Sequence, residues 1–343
     1  MTILVTGGAG YIGSHMVNLL RARRQRVVVV DNFSSGHEEA LPPDVPLLEA
    51  DIADQDEVAA FLKQHAVTSV IHFASRIQVG ESMREPRLYY RDNLASTVTL
   101  LDAVLDAGVG IFIFSSSAAV YGAPSASPLA ESHPTLPINP YGATKLAVER
   151  MLADYATAYG LKYAALRYFN ASGANWRAGL GERHEPETHL IPLVLDVAWG
   201  RRPQIDVFGG DYPTPDGTCI RDYIHVEDLA DAHLAAIEYL ANGGESGAFN
   251  LGSGTGYSVK EVVDTARSVT GHPIPMHIGA RREGDPPELV AGPAHAQQAF
   301  NWRAHRSSLR RIVEDAWRWH KFAHAEGTTS INQHNTNRET RAT

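Results

Sequence analysis

Residues 3–15 read ILVTGGAGYIGSH, a short apolar run that passes directly into Gly7, Gly10 and Gly13. The pattern predicts a buried strand, a turn without Cβ atoms and the opening of a helix. Such a turn lets a diphosphate approach the main chain, lets the helix pack closely on the strand, and aims the first helical N–H groups at phosphate. Glycine turns are common, and the position of this one between strand and helix is what makes it a dinucleotide signal. Beyond it, RVVVV, SVIHFA and IFIFSS are further apolar runs of strand length, separated by amphipathic stretches. Parallel strands joined by helical crossovers satisfy that alternation.

RVVVV leads into Asp31, eighteen residues past Gly13. A dinucleotide fold keeps there the acid that accepts hydrogen bonds from the adenine ribose hydroxyls. Its charge repels a 2′-phosphate, and no arginine follows in DNFSSG, so the expected cofactor is NAD. Asp51, in LLEADIAD after a third strand, is a second and weaker candidate for the adenine end.

The chain has 343 residues, enough for one large domain or two ordinary ones. With 30 Lys+Arg against 39 Asp+Glu its formal charge is −9, which argues against a nucleic-acid surface, so any phosphate must be held locally. Its apolar runs are too short for a membrane span, and MTILVTGGAG lacks the features of an export signal, so a cytoplasmic location is expected. A lone cysteine, Cys219, excludes an internal disulfide framework and a Cys-rich metal site, and is expected to be a buried inert thiol; no metal is expected. After YAALRYFN the rhythm gives way to ASGANWRAGLGERHEPETHLIP. We therefore expect a nucleotide-binding domain over 1–170, a smaller loop-rich domain over 171–325 and a polar tail over 326–343. CIRDYIHVEDLADAHLAAIEYL, a strand and helix pattern, allows the second part to return elements to the first.

In NPYGATKLAVER, residues 139–150, Tyr141 and Lys145 share one helical face. A free phenol, at about pKa 10, is too weakly acidic to serve as a base at neutral pH. An ammonium at about 4 Å favours the phenolate by about 4 kcal/mol at an effective dielectric near 20, before desolvation. The expectation is that Lys145 acidifies Tyr141 for acid/base work. The spacing is frequent by chance, but FIFSSSAAVYG ends a strand in Ser115–Ser117, where ligands of parallel sheets bind. Ser117 is the hydroxyl expected to share a substrate oxygen with the phenol; Ser115 and Ser116 also suit backbone at a strand end.

Together Gly7, Gly10, Gly13, Ser117, Tyr141 and Lys145 resemble the extended short-chain dehydrogenase/reductase family. VTGGAGYIGSH, FIFSSSAAVYG, YGATKLAVE, LRYFNASGA, RDYIHVEDLADAH and RREGD are similar to its nucleotide-sugar 4-epimerases, from residue 3 to about 285. The resemblance implies an α/β fold: a Rossmann-like doubly wound parallel sheet with a smaller mixed α/β C-terminal substrate domain. It implies NAD as cofactor, a UDP-sugar substrate and transient oxidation at sugar carbon 4, interconverting UDP-glucose and UDP-galactose. Tyr141 is then the acid/base, Lys145 its partner and ribose anchor, and Ser117 the partner of the same oxygen. Tyr11, Ile12, Asn32, Ile52, Phe73, Asn93, Ser115 and Tyr168 join the glycines, Asp31 and Asp51 around NAD. Asn170, His189, Leu190, Arg221, Arg282, Asp285 and Leu289 fall at positions around the sugar nucleotide, with the two arginines facing diphosphate. A homodimer through helices near 92–106 and 141–158 is likewise implied.

Three positions depart from the family pattern. Ile77, beside Arg76, stands where a loop lysine often reaches the nicotinamide, Ala119 where a threonine is frequent, and Leu289 where a tyrosine restricts some members to unmodified sugars. The last predicts partial acceptance of N-acetylated sugars. A 4,6-dehydratase needs a Thr-Asp-Glu at the strand end, and SSSAAVYG has no carboxylate; a catalytically silent NAD-binding regulator is expected to lose Tyr141 or Lys145, and both are present.

Overall fold

The computed structural model describes the backbone of residues 1–339 apart from 125, 283 and 284, and side chains as far as 324. The apolar runs form β1 (Thr2–Thr6), β2 (Arg26–Asp31), β3 (Leu47–Glu49), β4 (Ser69–His72), β5 (Ile111–Ser117) and β6 (Lys162–Tyr168). After them come β7 (Asn170–Ser172), β8 (Ile205–Phe208), β9 (Ile220–His225), β10 (Gly247–Leu251), β11 (Gly256–Ser258), β12 (Met276–Gly279) and β13 (Glu288–Leu289). Val27–Val30, Val70–Ile71 and Phe112–Phe114 are buried at consecutive positions, which requires helices on both faces of their sheet. That sheet has seven strands in the order β10-β6-β5-β4-β1-β2-β3, all parallel.

Helices Tyr11–Ala22 and Val226–Ala241 cover one face, burying Met16, Leu20, Ile237 and Leu240 against Val5 and Val29. Helices Gln55–Gln64, Ser96–Asp106 and Pro140–Tyr159 cover the other, with Leu62, Leu101, Val104, Val148 and Leu152. The strand order reverses at β1, which lies between β4 and β2, so a crevice opens past the carboxyl ends of β1 and β4. Two glycines make that crevice possible. Gly7 has φ +68°, and a Cβ there would stand 2.7 Å from the Ala74 nitrogen after β4. A Cβ on Gly13 would meet the Gly7 carbonyl oxygen at 2.0 Å, so nothing larger lets the helix start this close to the strand.

The chain past residue 170 supplies the outermost strand of this sheet, β10, which pairs with β6. The rest forms a smaller mixed α/β layer: β9 pairs with β7, β11 and β13, and β8 with β12. A third core, with Ile191, Leu195, Val262, Ile312 and Trp317, holds helices Leu190–Ala198, Val259–Thr270 and the start of Leu309–Glu339 together. The tail expected at 326–343 lies outside the described side chains. Cys219 is a buried free thiol. No helix among the described residues is long and apolar enough to cross a membrane.

Candidate active site

Asn139 starts the helix Pro140–Tyr159 by accepting the Gly142 N–H at 2.8 Å, with Pro140 in the first turn. This start brings Tyr141 and Lys145 beside the end of β5. The Lys145 ammonium donates to the Ser115 carbonyl at 2.8 Å and lies 5.0 Å from the Phe114 ring centroid and 5.7 Å from that of Tyr141. Ser117 accepts the Ala119 N–H at 3.1 Å, capping the turn 118–121.

The electrostatics differ from the expectation that Lys145 acidifies Tyr141. Burial lowers Lys145 to about 7, opposed by the Glu149 charge one turn further along the helix. Burial also raises the Tyr141 phenol, and the chain's own group that pulls it back down is the Ser117 hydroxyl. The reason is depth: desolvation penalises both charged forms more than their partners favour them.

Beneath the strand end lies a buried polar network that sequence reasoning missed. Ser116 donates to Glu149, and Arg167 pairs with the same carboxylate at 2.6 Å. Arg167 also donates to the Tyr121 oxygen at 2.9 Å, and Tyr121 to the side-chain amide oxygen of Asn250 at 2.7 Å. The network thus ties β5, β6 and β10 to the Tyr/Lys helix. Its sequence signal was Glu149, four residues after Lys145 on the same face.

On the other side of β1, Gly10 precedes its helix without a side-chain cap, and the first turn holds no acidic residue, leaving an end suited to phosphate. Tyr11 and Ile12 open that helix, half-buried, but the Tyr11 hydroxyl donates to the Gly173 carbonyl at 2.7 Å, so it joins the two parts of the chain. Asp31 is buried, which raises its carboxyl, and accepts the Ala9 and Phe33 N–H groups at 2.8 and 2.9 Å. Asn32 donates to Asp51 at 2.9 Å, next to buried Ile52, so the four expected adenine-end residues gather past β2 and β3. The Cβ-free cradle, the open helix end and the oriented carboxylate fit a dinucleotide.

Other expected cofactor contacts are bonded within the protein. The Asn93 amide holds the Arg76 backbone, accepting its N–H at 2.7 Å and donating to its carbonyl at 3.0 Å. Arg76 itself is tied to Asp92 at 2.5 Å, and Ile77 is exposed. Phe73 bonds through its backbone to Thr6 and its ring lies 4.8 Å from His233. The Tyr168 hydroxyl is 3.3 Å from His233; burial raises it and the Ser115 hydroxyl lowers it.

Of the expected substrate residues, Arg221 and Asp285 pair at 3.0 Å. Leu289 stands opposite Arg221 in the β13–β9 register and packs against the apolar cluster of Ala118, Val120, Tyr121, Leu129 and Leu146, whose first members follow Ser117. Asn170 donates to the Asp222 carbonyl at 2.9 Å. Asp222, unremarked in the sequence, is a buried carboxylate accepting N–H groups from Ser253, Gly254 and Ala291. Arg282 lies 4.4 Å over the Phe208 ring. Leu190 begins its helix half-buried, whereas the His189 imidazole turns to Glu182 and Glu187, at 2.8 and 3.0 Å. These two carboxylates hold it at about 10, against burial.

Comparison with known proteins agrees with this geometry. Residues 3–252 match the model of the NAD dependent epimerase/dehydratase family. UDP-glucose 4-epimerase of Halalkalibacterium halodurans is 51% identical over 333 residues, 97% of this chain and 99% of that protein. The structure of UDP-glucose 4-epimerase from Brucella ovis in complex with NAD superposes with a TM-score of 0.90 at 49% identity, covering 92% of this chain and 97% of that one. That of UDP-glucose-4-epimerase from Stenotrophomonas maltophila, with bound NAD and formylated UDP-arabinopyranose, gives 0.92 at 40% identity, covering 95% and 99%.

Proposed function

The chain belongs to the NAD dependent epimerase/dehydratase family, and from that membership we propose that it interconverts UDP-glucose and UDP-galactose through a 4-keto sugar. The observation that carries this reading is Ser117, Tyr141 and Lys145 meeting at the end of β5, beside the crevice cut by Gly7 and Gly13. Gly10 and the helix it opens would hold the diphosphate of NAD, Asp31 its adenine ribose, and Lys145 the ribose at the other end. When bound, NAD supplies the exchange of a hydride with sugar carbon 4. Tyr141 takes the proton of the 4-hydroxyl and returns it, while Ser117 bonds the same oxygen. A phenol raised by burial needs positive charge nearby to give up its proton, and Lys145, held at about 7, gains or loses its own near neutrality. The keto sugar turns about its bond to the diphosphate, so that reduction occurs on either face. Arg221, with N–H groups beyond those given to Asp285 and the Ile220 carbonyl, suits phosphate oxygens, and Asp285 the uridine ribose.

To test this, UDP-galactose is incubated with the protein and UDP-glucose is followed by chromatography. Tyr141→Phe is expected to lower the rate by about 10²- to 10⁴-fold while retaining NAD. An unimpaired variant removes Tyr141 from the reaction.

Three finer readings accompany the main one. Leu289 leaves more room than a tyrosine, so UDP-N-acetylglucosamine is a second substrate; no isomer formed from it overturns this, and Leu289→Tyr is expected to suppress that activity selectively. Helices Ser96–Asp106 and Pro140–Tyr159, joined by Tyr155 to Asp102 at 3.2 Å and exposing Val98 and Tyr159, supply a homodimer face, checked by sedimentation. A chain with one free thiol suits the reducing cytoplasm.

A further inference from the structure

The loop from β7 to helix Leu190–Ala198 carries Glu182, His184, Glu187 and His189, whose ligand atoms all lie within 4.8 Å of one another. We propose that these four side chains bind one divalent transition-metal ion, Zn²⁺ by preference, in a structural site that pins this loop against the glycine-turn helix.

The distances suit such an ion. The Nδ1 atoms of both histidines face the carboxylates: His189 is 2.8 Å and His184 3.3 Å from Glu182 Oε1, and His184 is 3.8 Å from Glu187 Oε2. Bonds of about 2.0–2.2 Å in a tetrahedron set ligand atoms about 3.3 Å apart. The charges suit it too. Among the described residues the ion pairs of Glu182 and Glu187 are with His184 and His189 alone, so two carboxylates share a pocket without arginine or lysine. Two protons or one divalent cation neutralise them. The His184 Nδ1 is buried and aimed at these carboxylates, 3.3 Å from Glu182 Oε1 and 3.8 Å from Glu187 Oε2, spacings that leave room for an ion between the ligand atoms. Glu187 is oriented from behind, since its Oε1 accepts the Thr188 and His189 N–H groups at 2.7 and 2.8 Å, leaving Oε2 toward His184. Paired imidazole and carboxylate ligands favour zinc-like ions over magnesium.

A second cluster, Asp196, His320 and His324, makes a useful contrast: there Arg201 already stands 2.6 Å from the His324 Nε2 and supplies the cation.

The position gives the ion its role. The Tyr11 ring meets that of His184 at 6.4 Å, His37 reaches the Arg183 carbonyl at 3.2 Å, and Trp319 donates to the Glu182 carbonyl at 3.2 Å. A metal at this junction locks the second part of the chain onto the helix that follows the nucleotide turn.

The experiment is independent of epimerisation and so stands or falls apart from the activity proposed above. The full chain is stripped with a chelator, titrated with Co²⁺ and with Zn²⁺ against a chromophoric chelator, and its metal content measured after desalting. We expect one ion per chain, the visible absorption of tetrahedral Co²⁺, and a melting temperature about 5 °C higher with Zn²⁺ than with Mg²⁺. His184→Ala and Glu187→Gln are each expected to weaken binding at least about tenfold. Failure of wild type to retain Zn²⁺, or equal retention by both variants, overturns the proposal. Should a variant fold poorly, the Co²⁺ spectrum of wild type decides alone, since an octahedral or absent signal excludes the site.

Discussion

Lys145 enters a strand end that, among the described residues, offers its ammonium the Ser115 carbonyl as acceptor and the faces of Phe114 and Tyr141. Three groups do not repay the hydration lost at 2% exposure, which is why the amine falls to about 7 from an ordinary 10.5. The consequence for stability has a definite sign. Between pH 7 and 10.5 the unfolded chain holds a proton on this lysine that the folded chain does not, so folding becomes more favourable as pH rises through that window. Below pH 7 the penalty is present in full. In Lys145→Met the term disappears. The cofactor-free wild type, compared with that variant, should therefore gain stability from pH 7 to 9 at about 1.4 kcal/mol per pH unit, read from paired urea titrations. A constant difference shows that Lys145 keeps an ordinary pKa in the fold.

The strand β5 and the helix Pro140–Tyr159 are aligned by something other than their apolar faces. Glu149 and Arg167, both 7% exposed, form a buried ion pair that Ser116, Tyr121 and Asn250 complete. Glu149→Gln leaves Arg167 buried beside a neutral group, a loss on the order of 3–5 kcal/mol, measurable by denaturant unfolding. It also removes the charge that supports the Lys145 ammonium, so the lysine pKa should fall further. A variant as stable as wild type shows the pair to be dispensable. These elements also show how far sequence carries. The strands were legible because consecutive buried Val, Ile and Phe have few alternatives in a parallel sheet, and the glycine turn because its spacing serves three packing demands at once. The pairing of Tyr141 with Ser117 followed from strand-end logic. The commitments of Asn93, Arg76, Tyr11 and His189 did not, because each depends on a partner 15 or more residues away or on which way a loop carboxylate turns. Local patterns reveal the residues a turn or helix face brings together; they do not reveal hydrogen bonds decided by tertiary packing.

The two parts of the molecule are joined by neutral imidazoles, and acid should act on them. His15 bonds the Tyr11 carbonyl through Nδ1 at 2.7 Å and accepts the Asn175 N–H at Nε2 at 3.1 Å, so the ring bridges the first helix and the chain beyond residue 170. Its acceptor nitrogen fixes the neutral Nδ1–H tautomer; a second proton breaks the bridge. His233 joins the helix Val226–Ala241 to Tyr168, and His72 spans Thr6 and Thr97 on β1 and the helix Ser96–Asp106. Burial lowers His15 and His233 to about 4 and His72 to about 3. A depressed histidine contributes stability that is fully present above its unfolded pKa of 6.5 and is lost as pH falls toward the folded value. Between pH 6.5 and 4 each ring should remove on the order of 3 kcal/mol, less whatever local relaxation recovers. Proton-coupled carbon spectra of the folded chain should show these three rings neutral at pH 5.5. The urea midpoint should drop steeply over the same interval. Midpoints near 6.5 for the three rings, with the fold intact, contradict their burial as a determinant of acid stability. Loss of the His15 bridge alone, in His15→Phe, should flatten the acid decline and lower the plateau at pH 7, because the Asn175 N–H then lacks its acceptor at every pH.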